Sequence, residues 1–443
     1  MKIQLSDHFS YGKLLRFTMP SIVMMIFTSI YGVVDGIFVS NFAGKTPFAA
    51  INLIMPYIML LGTAGFMLGT GGTALISKTL GMGDKKKANE IFSMLTAACV
   101  IGGIVLTVIS LLCLRPVAAL LGAQGQILED CVTYGMIVLP ASTAFILQFA
   151  YQSFCVTAER AKLSLVMTVA SGVCNIALDA LFVAVFRWGL EGAAAATAIA
   201  QVVGAVIPLV YFSRPNDSLL RLGRFRFDGS ALLHACVNGS SELMSNLSMS
   251  LVNMLYNWQL LRYAGEDGIA AYGVIMYVNL IFLSIFIGYS IGSAPLIGFN
   301  YGADNHPELK NLFRKSLMIL ALSALSMVAL AVALAEPLSG VFVGYDPALM
   351  EMTRRGFVIY GLSFLFSGLN IFGSSMFTAL NNGLISALIS FVRALVCQVI
   401  AVMVLPVIFG LDGIWFSVVA AELVALLVTA VCFVALRKRY HYA

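Results

Sequence analysis

Charge is scarce in this chain. Only 11% of its 443 residues are Asp, Glu, Lys or Arg, less than half of the about 25% found in soluble domains. With 60% hydrophobic residues and a mean hydropathy of +0.94, that shortage excludes a water-soluble globular domain. Histidine is scarcer still: four residues, at 8, 234, 306 and 441, all expected in loops or at helix ends. A membrane-embedded enzyme would need His, Cys or Ser constellations at depth, so no enzymatic activity is expected. The eight cysteines (99, 113, 131, 155, 174, 236, 397 and 432) contain no CxxC pair and read as small core residues, with no metal or disulfide framework. A Walker-type phosphate loop is missing, which argues against direct ATP coupling. The net charge of +5 comes from short loops with no basic patch, so no nucleic acid partner is expected. No small-residue cleavage site follows the first apolar run, which reads as a retained helix.

What the chain does have is apolar length. Windows of about 20 apolar residues suffice to cross a hydrocarbon core of about 30 Å. Twelve such spans are predicted, near 14–40, 48–72, 89–113, 131–156, 163–186, 191–213, 232–262, 269–297, 312–335, 352–379, 384–409 and 413–436. Lysine and arginine number 19 on one set of ends and loops and six on the other, with Arg393 inside a span. The positive-inside rule then places both termini in the cytoplasm, with the chain threaded through a plasma or inner membrane.

The polar stretch near 213–231 divides the chain. When the second half is slid on the first so that Pro337 meets Pro116, "FAAINLIMP" meets "IAAYGVIMY" and "ALISKTLG" meets "PLIGFNYG". In the same register Gly135 meets Gly356, Ser153 meets Ser374, and "GLEG" (189–192) meets "GLDG" (410–413). A constant offset over so much of the chain predicts parallel repeats related by an axis along the membrane normal. The fold class expected is therefore an all-α integral membrane protein of twelve transmembrane helices in two six-helix lobes. The N-lobe would span 1–212, a linker 213–231, and the C-lobe 232–443. A monomer in the bilayer is expected.

The acids do not follow the repeat. Asp35 in "YGVVDGIFV", and Asn175 and Asp179 in "SGVCNIALDALFV", fall on Tyr256, Val396 and Ile400. Ionisable groups inside a membrane are expensive and mark function by default. Counting rise along each span puts Asp35, Asn175, Asp179 and Thr197 at one depth in the outer half of the N-lobe. Asn175 and Asp179, four apart, share a helix face. Two carboxylates near one another cannot both stay charged without a proton or a shared cation. With an amide and a hydroxyl beside them, they suit Na⁺ and equally a proton. Acids that merely fix packing are the competing reading. Pro20 removes a backbone hydrogen bond from the first helix if it lies mid-helix, and would be ordinary at a helix start.

At these residues the chain resembles the MATE (multidrug and toxic compound extrusion) transporters, over nearly its whole length and most of all the MepA-like and DinF-like bacterial branch. The marks are Pro20, Asp35, "NIALD" (175–179) and Thr197; the "GLEG", "GLDG" and "NYGA" turns are less specific. The resemblance implies that Asp35, Asn175, Asp179 and Thr197 bind the coupling ion, H⁺ or Na⁺, that Pro20 is a kink, and that no further cofactor is needed.

The second half has a polar stripe of its own: Asn238, Glu242, Asn246, Ser250, Asn253 and Asn257 recur every three or four residues. Such a face must look toward protein or a water-filled cavity. It reads either as part of a substrate cavity (Glu242, Asn246, Asn253, Asn257, with Arg393) or as interhelical hydrogen bonding. Arg393 needs a partner, for which Glu242 and Glu422 are the candidates and a structural ion pair the favoured outcome. The function expected is cation-coupled antiport of small organic solutes, cationic or amphiphilic, by alternating access. The alternative is a lipid-linked saccharide flippase of the same superfamily, which should line its cleft with several cations.

Overall fold

The computed structural model describes residues 3–38 and 44–443, apart from the side chains of Val33, residues 35–38 and Lys45. The described residues form α1 (Tyr11–Phe38), α2 (Lys45–Gly81), α3 (Lys85–Leu120), α4 (Gly125–Val138), α5 (Ser142–Thr157), α6 (Ala161–Asp179) and α7 (Gly189–Ser213). Beyond the linker follow α8 (Gly229–Gly302), α9 (His306–Val343), α10 (Pro347–Gly361), α11 (Phe364–Ala379), α12 (Gly383–Phe391), α13 (Cys397–Phe409) and α14 (Leu411–Tyr440).

A straight helix of 74 residues would run about 110 Å, far beyond any bilayer. The chain avoids this at Gly265, whose φ of 65° belongs to the region glycine enters without a Cβ penalty. There α8 turns back on itself. Tyr272 donates its hydroxyl to Asn253 Oδ1 at 3.0 Å, and the Tyr256 and Tyr272 rings stack with centroids 5.3 Å apart. These contacts join the limbs 229–264 and 266–302. Counted as two spans, with α4–α5, α10–α11 and α12–α13 as one each, the helices make the twelve expected. The α10–α11 pair is bent by 46°.

Several helices outrun the bounds expected from apolarity. The span near 48–72 is the middle of Lys45–Gly81, and that near 89–113 the middle of Lys85–Leu120. Hydropathy marks the stretch in hydrocarbon, whereas the helix goes on until a cap ends it. Asp84 accepts from Lys87 N at 2.9 Å to start α3, and Asn305 accepts from Glu308 N at 3.3 Å to start α9.

Those two caps are themselves repeat partners, and the shift that relates them carries the helices onto one another. Lys45–Gly81 falls on 266–302, and Lys85–Leu120 on 306–341 within His306–Val343. Pro116 lies inside α3 and Pro337 inside α9. The chain is thus two copies of a six-span unit, joined by residues between α7 and α8.

The copies meet where α1 and α2 pack against α8. Near residue 70 the approach is so close that a Cβ on Gly239 would overlap the Met67 carbonyl. Small residues allow such approaches between membrane helices. Asn381 Nδ2 also reaches the Ala74 carbonyl at 3.0 Å. Among the described residues, the hydrogen bonds between the lobes lie toward the end that carries residues 3–10, 74–81 and 299–311. The farthest from that end involve Ser29, which pairs with Ser284 and, one turn beyond it, donates to the Leu280 carbonyl at 3.4 Å.

Candidate functional site

Within the N-lobe, α1 and α7 both pack on α6. The α6 face between them is polar. Ser164, Thr168, Ser171, Asn175 and Asp179, spaced three or four apart, are all buried. Asp179 is 0% exposed and Asn175 4%. Ser171 Oγ donates to the Ala200 carbonyl at 2.8 Å, which pins α6 to α7, and Ser164 Oγ lies 2.9 Å from Met24 Sδ on α1.

The Ser171 bond sets the register of the antiparallel pair. From it, Asn175 lies four residues up α6 and Thr197 three residues up α7, so they differ in height by only about 1.5 Å. Asp179 is one turn farther along, at the end of the regular helix. The next residues, Ala180–Val185, form a π-helical turn, a distortion frequent at functional sites. Phe182 in this turn stacks on both Phe186 and Trp188, with Phe182 and Trp188 centroids 4.9 Å apart. Trp188 is half exposed, as interfacial aromatics are.

The structure therefore puts Asn175 and Asp179 on one buried face of α6 and Thr197, half-buried, at nearly the height of Asn175 on the neighbouring α7. The backbone of Asp35 is in α1, while its side chain lies outside the described residues. Pro20 is ten residues into α1, which removes the helix-start reading; the helix continues through it. The sequence reading missed the rest of the polar face, Ser164, Thr168 and Ser171, and also the buried Gln201, one turn from Thr197. Their spacing from Asn175 was the available signal. Thr168 Oγ1 on α6 and Gln201 Oε1 on α7 have no hydrogen-bond partner among the described residues, so two oxygens keep capacity to accept from a guest. Among the described residues no cluster of three His, Cys, Asp or Glu side chains could hold a metal. A cation here would rest on one described carboxylate with amide and hydroxyl oxygens, a donor set suited to a hard monovalent ion or a proton.

The C-lobe uses the corresponding place differently. Tyr256, the repeat partner of Asp35, is buried and donates to Gln398 Oε1 at 2.9 Å. The pair is neutral and satisfied. The C-lobe charges lie elsewhere. Arg393, in its own π-helical turn Val392–Val396, donates Nε to both Glu422 oxygens at 2.9 and 3.0 Å. Asn370 Nδ2 donates to Glu422 at 2.8 Å and Thr429 to Asn370 at 3.0 Å. Glu422, not Glu242, is the bonded partner.

The stripe on the first limb of α8 divides in the same way. Asn238 holds the α11–α12 turn, giving Nδ2 to Asn381 and accepting from Gly383 N, each at 3.0 Å. Asn253 holds Tyr272, and Asn246 bonds the Glu242 carbonyl of its own helix. Glu242 is half-buried, while Asn246 and Asn257 are exposed. Asn238 and Asn253 thus hold neighbouring segments of the C-lobe together.

Arg393→Leu is expected to cost about 3–5 kcal/mol because Glu422 is left as a buried charge without its cation. The double variant Arg393→Leu/Glu422→Leu should recover most of that loss. Denaturation of the purified protein in detergent checks both.

Duplicated six-span lobes, packed along a close helical seam, define a polytopic membrane protein built from two repeated units. The chain belongs to the MatE family: its model matches twice, over residues 20–181 and 243–404. The multidrug export protein MepA of Staphylococcus saprophyticus is 25% identical over 433 residues, 96% of this chain and 94% of that protein. MepA of Staphylococcus aureus is 25% identical over 435 residues, covering 97% and 94%. Among solved structures, an outward-facing conformation of a multidrug resistance MATE family transporter of the MOP superfamily superposes with a TM-score of 0.92. It is 22% identical and covers 99% of each chain. A MOP superfamily transporter from Pyrococcus furiosus, described as having a binding pocket of reverse polarity that suggests a different function, has a TM-score of 0.89. It too is 22% identical, covering 98% of this chain and 96% of that one. At such identities the solved structures speak for the fold alone.

Proposed function

We propose that the chain exports organic, cationic or amphiphilic compounds in exchange for H⁺ or Na⁺ by alternating access, with the coupling ion held by Asp35, Asn175, Asp179 and Thr197. The observation that carries this reading is the asymmetry between the lobes. The α6 face carries buried Asn175 and Asp179, with Thr197 near the height of Asn175 on α7, whereas the repeat-related place in the C-lobe holds the neutral Tyr256–Gln398 pair. A packing device would serve both copies of one scaffold; an ion switch is needed only once. The ion works by binding one state of the carrier better than the other.

Charge gives the orientation. The loops at the strongly bonded end of the seam hold most of the 19 lysines and arginines, which supports termini in the cytoplasm and the free end of the lobes outside. The export proteins named MepA support an organic solute as cargo. A saccharide flippase is disfavoured, because Arg393, the basic residue at membrane depth, is already bonded to Glu422. In proteoliposomes with independently imposed pH and Na⁺ gradients, an organic cation such as ethidium should move against its gradient when one of the two is applied. Movement driven by neither gradient would refute the coupling.

A further inference from the structure

Residues 3–10 precede α1, yet their contacts belong to both lobes. Leu5 and Phe9 are 0% exposed, so this segment is docked rather than trailing in solvent. On the N-lobe side, Leu5 N donates to Glu159 Oε1 in the α5–α6 turn at 2.8 Å. On the C-lobe side, Glu308 in the first turn of α9 accepts from Phe9 N at 3.0 Å and meets His8 Nδ1 at 2.6 Å. The Phe9 carbonyl in turn accepts from Asn311 Nδ2 at 3.0 Å and from Lys315 Nζ at 2.6 Å. Asn311 also donates to Glu308 Oε1 at 2.8 Å. Glu308, Asn311 and Lys315 stand three and four residues apart, so one face of α9 makes all these bonds.

The repeat shows what this arrangement is for. Before α8, the linker lies on the repeat partner of α9. Arg221 N donates to Asn89 Oδ1 at 2.6 Å, Gly223 N to Ser93 Oγ at 3.0 Å, and Asp228 N lies 3.3 Å from Met94 Sδ, all on α3. In the register that puts Pro116 on Pro337, Met94 falls on Lys315 and Phe9 on Ser230. Each six-span unit therefore has its leading segment laid across the same end of the other unit's third span. The linker is joined to both lobes by the chain itself. Residues 3–10 are followed directly by the N-lobe and reach the C-lobe through the bonds above, and a buried carboxylate with several donors is far stronger than a surface pair.

We propose that residues 3–10 form a strap that holds the two lobes shut at this end, with Glu308 as its clasp, and that opening here requires the clasp to release. The strap thereby sets the balance between the two access states. This rests on the alternating-access reading but not on the identity of the ion.

The test uses the full-length protein in lipid nanodiscs, with native cysteines replaced and spin labels at Lys162 and Arg314, both exposed and one on each lobe at the strap end. Glu308→Ala, and separately a variant lacking Ile3–Phe9, should raise the long-distance population about tenfold, the size expected from losing a small group of charge-assisted bonds. Glu308→Asp, which keeps the charge, should restore much of the short-distance population, a rescue that general loosening would not give. A label pair within the C-lobe should not move. Unchanged distances at the strap end in Glu308→Ala, in protein that elutes as a single species, would overturn the proposal. A shift in strap variants whose opposite-end distances ignore both pH and Na⁺ would uphold the strap and refute ion coupling instead.

Discussion

Asp179→Asn is expected to reduce gradient-driven efflux to the level of protein-free liposomes, with the protein still folded and inserted. The amide keeps the volume and one acceptor of the carboxylate, so the packing of α6 against α1 and α7 should survive. What disappears is a group whose charge changes when an ion arrives. Asp179 is 0% exposed, and α7, which packs on its helix, holds no lysine or arginine and carries Glu191 in its first turn. A buried carboxylate in so apolar a setting is costly to keep charged and gains greatly from a proton or cation. Asp35→Asn should do the same. Glu129→Gln, which removes an exposed pair with Arg115, should transport like the wild type, since surface pairs contribute little. Proteoliposome efflux with each gradient imposed separately reads all three, and normal transport by both acid variants would dismiss the site.

How much of this was legible in the sequence depended on what the signal measured. Hydropathy located twelve spans because apolar length is what a bilayer demands. It could not say that the seventh and eighth form one helical hairpin turning at Gly265, since "RYAGEDGIAAY" looks like an ordinary polar loop. The repeat was readable because Asp84 and Asn305 cap equivalent helices and Pro116 and Pro337 interrupt equivalent ones. The polar residues of α6 were only half seen. Asn175 and Asp179 stand out against leucine and valine, but Ser164, Thr168 and Ser171 are so common in membrane helices that only their shared face distinguishes them. The stripe on α8 was over-read as one surface, when Asn238 and Asn253 each satisfy a different neighbour. The strap was invisible. Nothing in "IQLSDHFS" predicts Leu5 and Phe9 as buried, because what holds the segment down is a helix from the other half of the chain.

Ion binding at the N-lobe acids should also move the two lobes, and this is the larger claim. The seam is tight near Gly239, while the bonds between lobes given above reach only as far as Ser29 with Ser284 and the Leu280 carbonyl. The opposite end is therefore where the distance between lobes can respond. Labels at Asn52 on α2 and Tyr277 on the second limb of α8, both exposed, would span it. In the wild type, lowering the pH or adding Na⁺ should redistribute the distances, because neutralising Asp179 removes its penalty in one packing of α1, α6 and α7 more than in the other. A tenfold change in the ratio of states requires only about 1.4 kcal/mol of differential binding, well within what a buried carboxylate can supply. In Asp179→Asn the distribution should be fixed and indifferent to both ions. The Tyr256→Phe variant, at the repeat-related place, should still respond, since no charge changes there. Distances that follow the ion equally well without the Asp179 carboxylate would assign the switch to another group.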